Sequence, residues 1–181
     1  MVVKQPLYHK QTLATAEVSK TFFTVASTDK LVTNMTAAGQ LPDPQSFVIG
    51  SLQVFWELMN LYATTLSDIS VLFMSKKLGA GIATLTVNGE TILELPIWMC
   101  SGGGGTFGLL NSPAATATTT EEMALNGMPG AANVFAVDPP ITLAPRQSFD
   151  VTLKWPTAPF TTLTGAIAPD IWVVLGGRVT K

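Results

Sequence analysis

The sequence predicts an all-β domain, and three observations carry the prediction. Apolar and polar residues alternate with a period of two in several segments. An Asn-Gly pair, Asn88-Gly89, lies between two such segments. Helix signals are confined to one short stretch. A period of two gives an extended chain one apolar face and one polar face.

The elements follow in chain order. Residues 1–17, with the polar segment Lys4–Lys10, are expected as an extended N-terminal arm. Val18–Ala26 reads as a strand, with Phe22, Phe23 and Val25 among Lys20, Thr21 and Thr24, and its buried face stays ambiguous. Asp29–Gln45, with Pro42 and Pro44, reads as irregular. Phe47–Leu58 reads as a long strand. Its even positions Val48, Leu52, Val54, Trp56 and Leu58 are apolar with Gly50 in phase, and its odd positions include Ser51, Gln53 and Glu57. Ser67–Met74 alternates in the same way.

Ile82–Val87 and Glu90–Leu95 form a hairpin around Asn88-Gly89, because both residues tolerate the positive φ of a type I′ turn. A two-residue loop pairs Val87 with Glu90 and Leu85 with Ile92. Pro96 ends the second strand, having no N–H to give the ladder. Met99–Pro129 reads as a second long irregular stretch with four consecutive glycines, Gly102–Gly105. Within it, Thr119-x-x-Glu122 has capping-box spacing ahead of Met123-Ala124-Leu125 and predicts one short helix, stopped by Asn126-Gly127 and Pro129-Gly130. Val134–Val137 and Ile141–Leu143 are short strands around Asp138-Pro139-Pro140. Ser148–Trp155 alternates cleanly, with Phe149, Val151, Leu153 and Trp155 on one face. Ile171–Leu175 is apolar throughout and reads as a strand buried on both faces, with a bulge at Gly176-Gly177. Eight strands of uneven spacing joined by long loops fit a single eight-stranded jelly roll over residues 18–181, a double-sheet sandwich of two Greek keys. An immunoglobulin-like sandwich fits less well, since paired cysteines are missing and the chain is too long.

Composition bounds the function. The 181 residues suit one domain. Charged residues make up 12% and mean hydropathy is +0.37, against about 25% charged residues in ordinary globular chains. A folded monomer of this mass exposes roughly 8,400 Å², so charged residues are spaced at about one per 380 Å². The largest apolar patch on an ordinary monomer is about 300–600 Å². Much of this surface is therefore expected to be covered by neighbours. A net charge of −2 and only two arginines, Arg146 and Arg178, argue against direct nucleic-acid binding. A single cysteine, Cys100, excludes a disulfide within the chain. The start Met1-Val-Val-Lys-Gln-Pro lacks the apolar core of a signal peptide. The window Phe47–Leu66 is apolar enough to raise the question of a membrane span. Glu57 near its middle would be costly there, and strand is the better reading.

Candidate chemistry is sparse. His9, the only histidine, cannot build a multi-histidine metal site and reads as a surface or docking residue. Cys100, at a strand end entering a loop, reads as a buried thiol or as half of an intersubunit disulfide. Gly102–Gly105 is followed by Thr106-Phe107-Gly108, without the Gly-Lys-Ser/Thr of a phosphate loop. Glu90 and Glu94 read as a solvated strand face, and Glu121-Glu122 as helix-dipole partners. Trp56 and Trp155 fall on apolar phases and read as core. Trp98, just past Pro96, reads as a surface anchor. Catalytic, cofactor and metal residues are all expected to be absent, and Cys100 and Trp98 are the residues expected at an intersubunit contact.

The layout resembles a known family. An extended arm, the strand Val18–Ala26, the long strand Phe47–Leu58, the hairpin Leu85–Pro96, a glycine-rich loop and the phrase Pro140-Ile-Thr-Leu-Ala-Pro-Arg-Gln-Ser-Phe-Asp-Val-Thr-Leu153 follow one another. This is similar to the small major capsid proteins with a single upright jelly roll found in tailless, membrane-containing icosahedral phages of the Thermus type. The resemblance implies a structural subunit of the virion shell, without catalytic residues or a cofactor. It implies strands standing upright on the capsid, self-association with a dimer as the expected unit, and packing with a larger major capsid protein. It also implies an inner side facing an internal membrane. The alternative from the residues is a carbohydrate- or ligand-binding β-sandwich module.

Overall fold

A computed structural model describes residues 1–14, 16–57, 78–102, 104–110, 122–127, 134–156 and 169–181. Extended chain dominates them, as alternating sequence requires. In order, the strands are β1 (Val2–Lys4), β2 (Leu7–Thr12), β3 (Ser19–Phe22), β4 (Ser46–Glu57), β5 (Ile82–Val87) and β6 (Glu90–Pro96). They continue with β7 (Gly104–Leu110), β8 (Glu122–Gly127), β9 (Phe135–Leu143), β10 (Phe149–Lys154) and β11 (Asp170–Thr180). The described residues thus hold eleven strands where eight were expected. A short 3₁₀ turn, Ile97–Cys100, follows β6.

Every ladder is antiparallel. One sheet has the order β11-β4-β9, with β1 and β2 both paired to the outer edge of β11. The second has the order β3-β10-β5-β6, and β7 pairs with β8 as a separate hairpin. The pairings nest around Asn88-Gly89: β5 with β6, β4 with β9, β3 with β10, β2 with β11. The chain therefore forms one long antiparallel ribbon doubled back at that turn. Two further ladders, β4 with β11 and β5 with β10, roll the ribbon into two sheets. Phe22, Phe47, Ile49, Leu52, Leu85, Leu143 and Val151 are buried between them, and Trp56 and Trp155 join that core as their phases predict.

The turn at the centre of the ribbon has the expected backbone, with φ of 53° at Asn88 and 81° at Gly89. Val87 pairs with Glu90 as expected, but Leu85 pairs with Leu93 instead of Ile92, because a bulge intervenes. The expected irregularity at Gly176-Gly177 is present as a register shift against β4. A Cβ on Gly177 would sit 2.0 Å from the Val48 carbonyl oxygen, so only glycine fits this close approach.

Several expectations are corrected. In β4 the inward phase is odd at Phe47 and Ile49 and even from Leu52 to Trp56. Gly50 is the extra residue of a bulge against β11, and one inserted residue moves all later side chains to the other face. β11 is fully buried on one face only, with Trp172 and Val174 half-buried on the other. The two short strands around Asp138-Pro139-Pro140 are one strand, β9. Within the arm expected over residues 1–17, Val2–Lys4 and Leu7–Thr12 are extended and lie on β11 as β1 and β2, and Ala16 departs from extended chain with a φ of 66°. The short helix ahead of Asn126-Gly127 is instead β8, with Met123 opposite Leu109 and Leu125 opposite Phe107. A stretch this short gains too few helical hydrogen bonds to cover nucleation, whereas a partner strand satisfies its backbone directly. β3 stops at Phe22 because Phe23 has a φ of 68°, which turns the chain so that both rings are buried. Ser67–Met74 lies outside the described residues. So does the second half of the apolar window Phe47–Leu66, whose first half is β4. Among the described residues no helix is long and apolar enough to cross a membrane.

Candidate functional site

Among the described residues β6 is the last strand of its sheet, with β5 on one side only. Its chain leaves at Pro96 and enters the 3₁₀ turn. With three residues per turn, positions i and i+3 share a side. Ile97 and Cys100 accordingly face inward and are buried, while Trp98 and Met99 face out, 66% and 46% exposed. Ile92, displaced by the bulge in β6, is 46% exposed along the same edge.

The mount beneath Trp98 is rigid. The Ile97 amide donates to the Gly81 carbonyl at 2.9 Å, and the Gly102 amide donates to the Val54 carbonyl at 2.7 Å. The Ser101 hydroxyl donates to the Trp98 carbonyl at 2.8 Å. Glycine is required at both anchors. A Cβ on Gly81 would lie 2.8 Å from the Lys154 carbonyl oxygen, and one on Gly102 would lie 2.0 Å from the Phe55 ring. An exposed tryptophan on such a base loses little conformational entropy when a partner covers it. Sequence reasoning found Trp98 but missed Met99 and Ile92; the three-residue period after Pro96 is the signal that carries Met99.

Cys100 does not share that exposure. Its thiol is 1% exposed and donates to the Ile97 carbonyl at 3.3 Å. Burial pushes its pKa up to about 12, so it stays protonated at neutral pH. The reading of Cys100 as a buried thiol holds, and an intersubunit disulfide, which needs an accessible thiolate, is disfavoured by this placement.

His9 is a correction. It is 2% exposed, not a surface residue. Its Nδ1 accepts the Phe23 backbone N–H at 2.6 Å, which places the ring proton on Nε2. Burial lowers its pKa from the usual 6.5, which favours the neutral form that can accept this bond.

The other candidates do not converge. Glu90 and Glu94 are exposed on one edge strand, roughly 13 Å apart at strand rise, beyond the carboxylate spacing of a glycosidase. Gly102 commits its amide to Val54. Among the described residues no group of three or more His, Cys, Asp or Glu is placed to hold a metal. Trp172 is half-buried on the outer face of its sheet, 5.8 Å from Tyr8 between ring centroids, with the Lys10 ammonium 5.4 Å from its ring. Compared with protein-family models and with curated proteins, the chain matches none.

Proposed function

We propose that the chain is a structural capsid subunit, a single upright jelly roll that associates with itself and with a larger major capsid protein. Together they form an icosahedral virion shell over an internal membrane. The observation that carries this reading is the apolar edge of Trp98, Met99 and Ile92, exposed on a rigid mount beside a strand that is paired on one side only among the described residues. Such an edge is a liability for a lone monomer and an asset for a subunit. Tryptophan is also among the residues that dominate interface energies.

The nested pairing supports the jelly-roll part of the reading. A ribbon doubled at its centre and rolled into two four-strand sets is what two interlocked Greek keys require. In that scheme β1 extends the arm along β11, and the β7–β8 hairpin is an insertion between the sixth and ninth strands. The low charge content agrees with a surface largely covered by neighbours.

Light scattering across concentration tests the reading. Dimers or larger species are expected at micromolar protein, and Trp98→Ser is expected to shift them toward monomer. A clean monomer at all concentrations and salts would overturn it. One observation favours a second reading, a glycan-binding sandwich: Tyr8, Trp172 and Lys10 cluster on an outer sheet face. Quenching of tryptophan fluorescence by glycans, with no self-association, would support that alternative.

A further inference from the structure

The end of the sandwich where β11 finishes concentrates positive charge. Lys4 of β1 and Arg178 of β11 are directly opposite in the ladder, and both are exposed. Like charges in that position destabilise a strand pair. A cavity of about 410 Å³ lies between Gln5–Tyr8 and the irregular stretch Asp29–Gln45; Lys30 and Lys181 line it, with Gln5 and Val179, the chain neighbours of Lys4 and Arg178. The Tyr8 hydroxyl donates to the Lys30 carbonyl at 2.7 Å and holds that turn against β2.

Among the described residues none of these four cations forms an ion pair. The ion pairs among the described residues are Lys10–Asp170, Lys20–Glu17 and Arg146–Asp43, and none involves Lys4, Lys30, Arg178 or Lys181. Asp29, next to Lys30 in the chain, accepts the Leu31 amide at 2.8 Å and keeps its negative charge, which leaves the group net positive. Four of the chain's ten basic residues thus gather at one end of a molecule whose net charge is −2.

Apolar side chains share the same end. Val2 is 63% exposed and Leu31 73%, and Met1, 87% exposed, is tied to Lys181 by the Lys181 N–H donating to the Met1 carbonyl at 2.9 Å. Cations interleaved with exposed apolar residues are the composition of a surface that settles into a lipid headgroup layer. A nucleic-acid face would have no use for Val2 and Leu31, and it would carry more arginine than the single Arg178.

We infer that this end of the sandwich binds an anionic lipid bilayer. Lys4, Lys30, Arg178 and Lys181 meet headgroup phosphates, and Met1, Val2 and Leu31 enter the interfacial layer. The inference rests on the shell reading above and names the face of the subunit turned toward the internal membrane.

Co-sedimentation of the tag-free full chain with vesicles tests it. Phosphatidylcholine vesicles containing phosphatidylglycerol are expected to bind the protein, pure phosphatidylcholine vesicles are not, and added salt weakens the binding. Lys4→Gln and Arg178→Gln are each expected to weaken it about fivefold, and Leu31→Ser to weaken it further, with thermal unfolding unchanged. Lys154→Gln, an exposed lysine at the opposite end of β10, leaves it unchanged. Equal binding to both vesicle types, no binding to either, or binding to duplex DNA in place of anionic vesicles would overturn the inference. Light scattering on the same sample separates the two readings. An oligomer that ignores anionic vesicles overturns the membrane face and leaves the shell reading, whereas a monomer that binds them does the reverse.

Discussion

The Nδ1 of His9 accepts the backbone N–H of Phe23 at 2.6 Å, and this bond joins the two sheets at one edge. His9 belongs to β2 in the first sheet, and Phe23 follows β3 in the second. Phe23 is held from both sides, since its carbonyl accepts the Gly39 amide at 2.6 Å. A bulky residue at a φ of 68° is an outlier. It persists here because His9, Gly39 and a buried ring packed 5.5 Å from Phe149 all hold it.

That bond makes stability depend on pH. Burial lowers the folded-state pKa of His9 below its unfolded value of 6.5, so the unfolded chain binds the extra proton first. Stability is full above the unfolded pKa and declines as pH falls through it toward the folded pKa. Urea midpoints are expected to fall as pH drops below about 6.5. His9→Gln, which keeps an acceptor but cannot titrate, is expected to flatten that decline. An equal decline in both proteins would remove His9 as its cause.

Trp98 and Trp155 are expected to separate assembly from folding. Trp98→Ala should leave the unfolding temperature nearly unchanged and weaken self-association by about 2 kcal/mol, a factor of about 30 in Kd. Trp155→Ala, which empties a core position, should cost about 3–5 kcal/mol of stability. Light scattering and calorimetry on both variants provide the check.

The close approach at Gly177 predicts a costly alanine. The Val48 carbonyl oxygen that its Cβ would meet is backbone and cannot swing aside. Gly177→Ala is expected to cost about 1–3 kcal/mol, or roughly 2–4 °C of Tm per kcal/mol. Gly50→Ala, whose nearest contact would be an ordinary 3.8 Å, should cost less in the same thermal scan.

The Thr84 hydroxyl is buried in β5 without a hydrogen-bond partner. Such a group carries its full desolvation penalty. Thr84→Val keeps the shape and removes the hydroxyl, so it is expected to raise stability by about 1 kcal/mol. Unchanged or lower stability would mean that the hydroxyl is satisfied in solution.

Cys100 should be inert while the protein is folded. With its pKa pushed up to about 12 and its side chain buried, maleimide labelling at neutral pH is expected only after denaturation. The chain should run as a monomer on non-reducing gels. Rapid labelling of the native protein would contradict the burial.

Local features were legible in the sequence, and non-local ones were not. Asn88-Gly89 announced the hairpin because both residues suit positive φ, and Gly176-Gly177 announced the bulge because a side chain there has no room. The inward face of β10 followed from alternation alone. The even phase read for β4 holds at Leu52, Val54 and Trp56 but not at Val48, because one extra residue at Gly50 reverses the alternation without changing the composition. β8 resembled a capped helix because its partner, β7, ends twelve residues earlier, beyond the three-residue spacing that a capping box reads. His9 sits in a polar segment, and nothing nearby in sequence reveals that Phe23 and Thr33 close over it. Trp98 was legible through its place after Pro96, while the cationic end was invisible because Lys4, Lys30, Arg178 and Lys181 are scattered along the sequence.

The nested ladders have a consequence for biosynthesis. β11 lies between β2 and β4, so the first sheet cannot close until residues 170–180 have left the ribosome. Until then β2 and β4 wait with open edges, and the ladder joining Leu7–Thr12 to Asp170–Leu175 forms last across nearly the whole chain. Pairings that span so much sequence fold slowly and leave intermediates open to aggregation. A stop codon shortly before β11 is expected to yield an unfolded product instead of a slightly shorter domain, because both β2 and β4 would lose their partner.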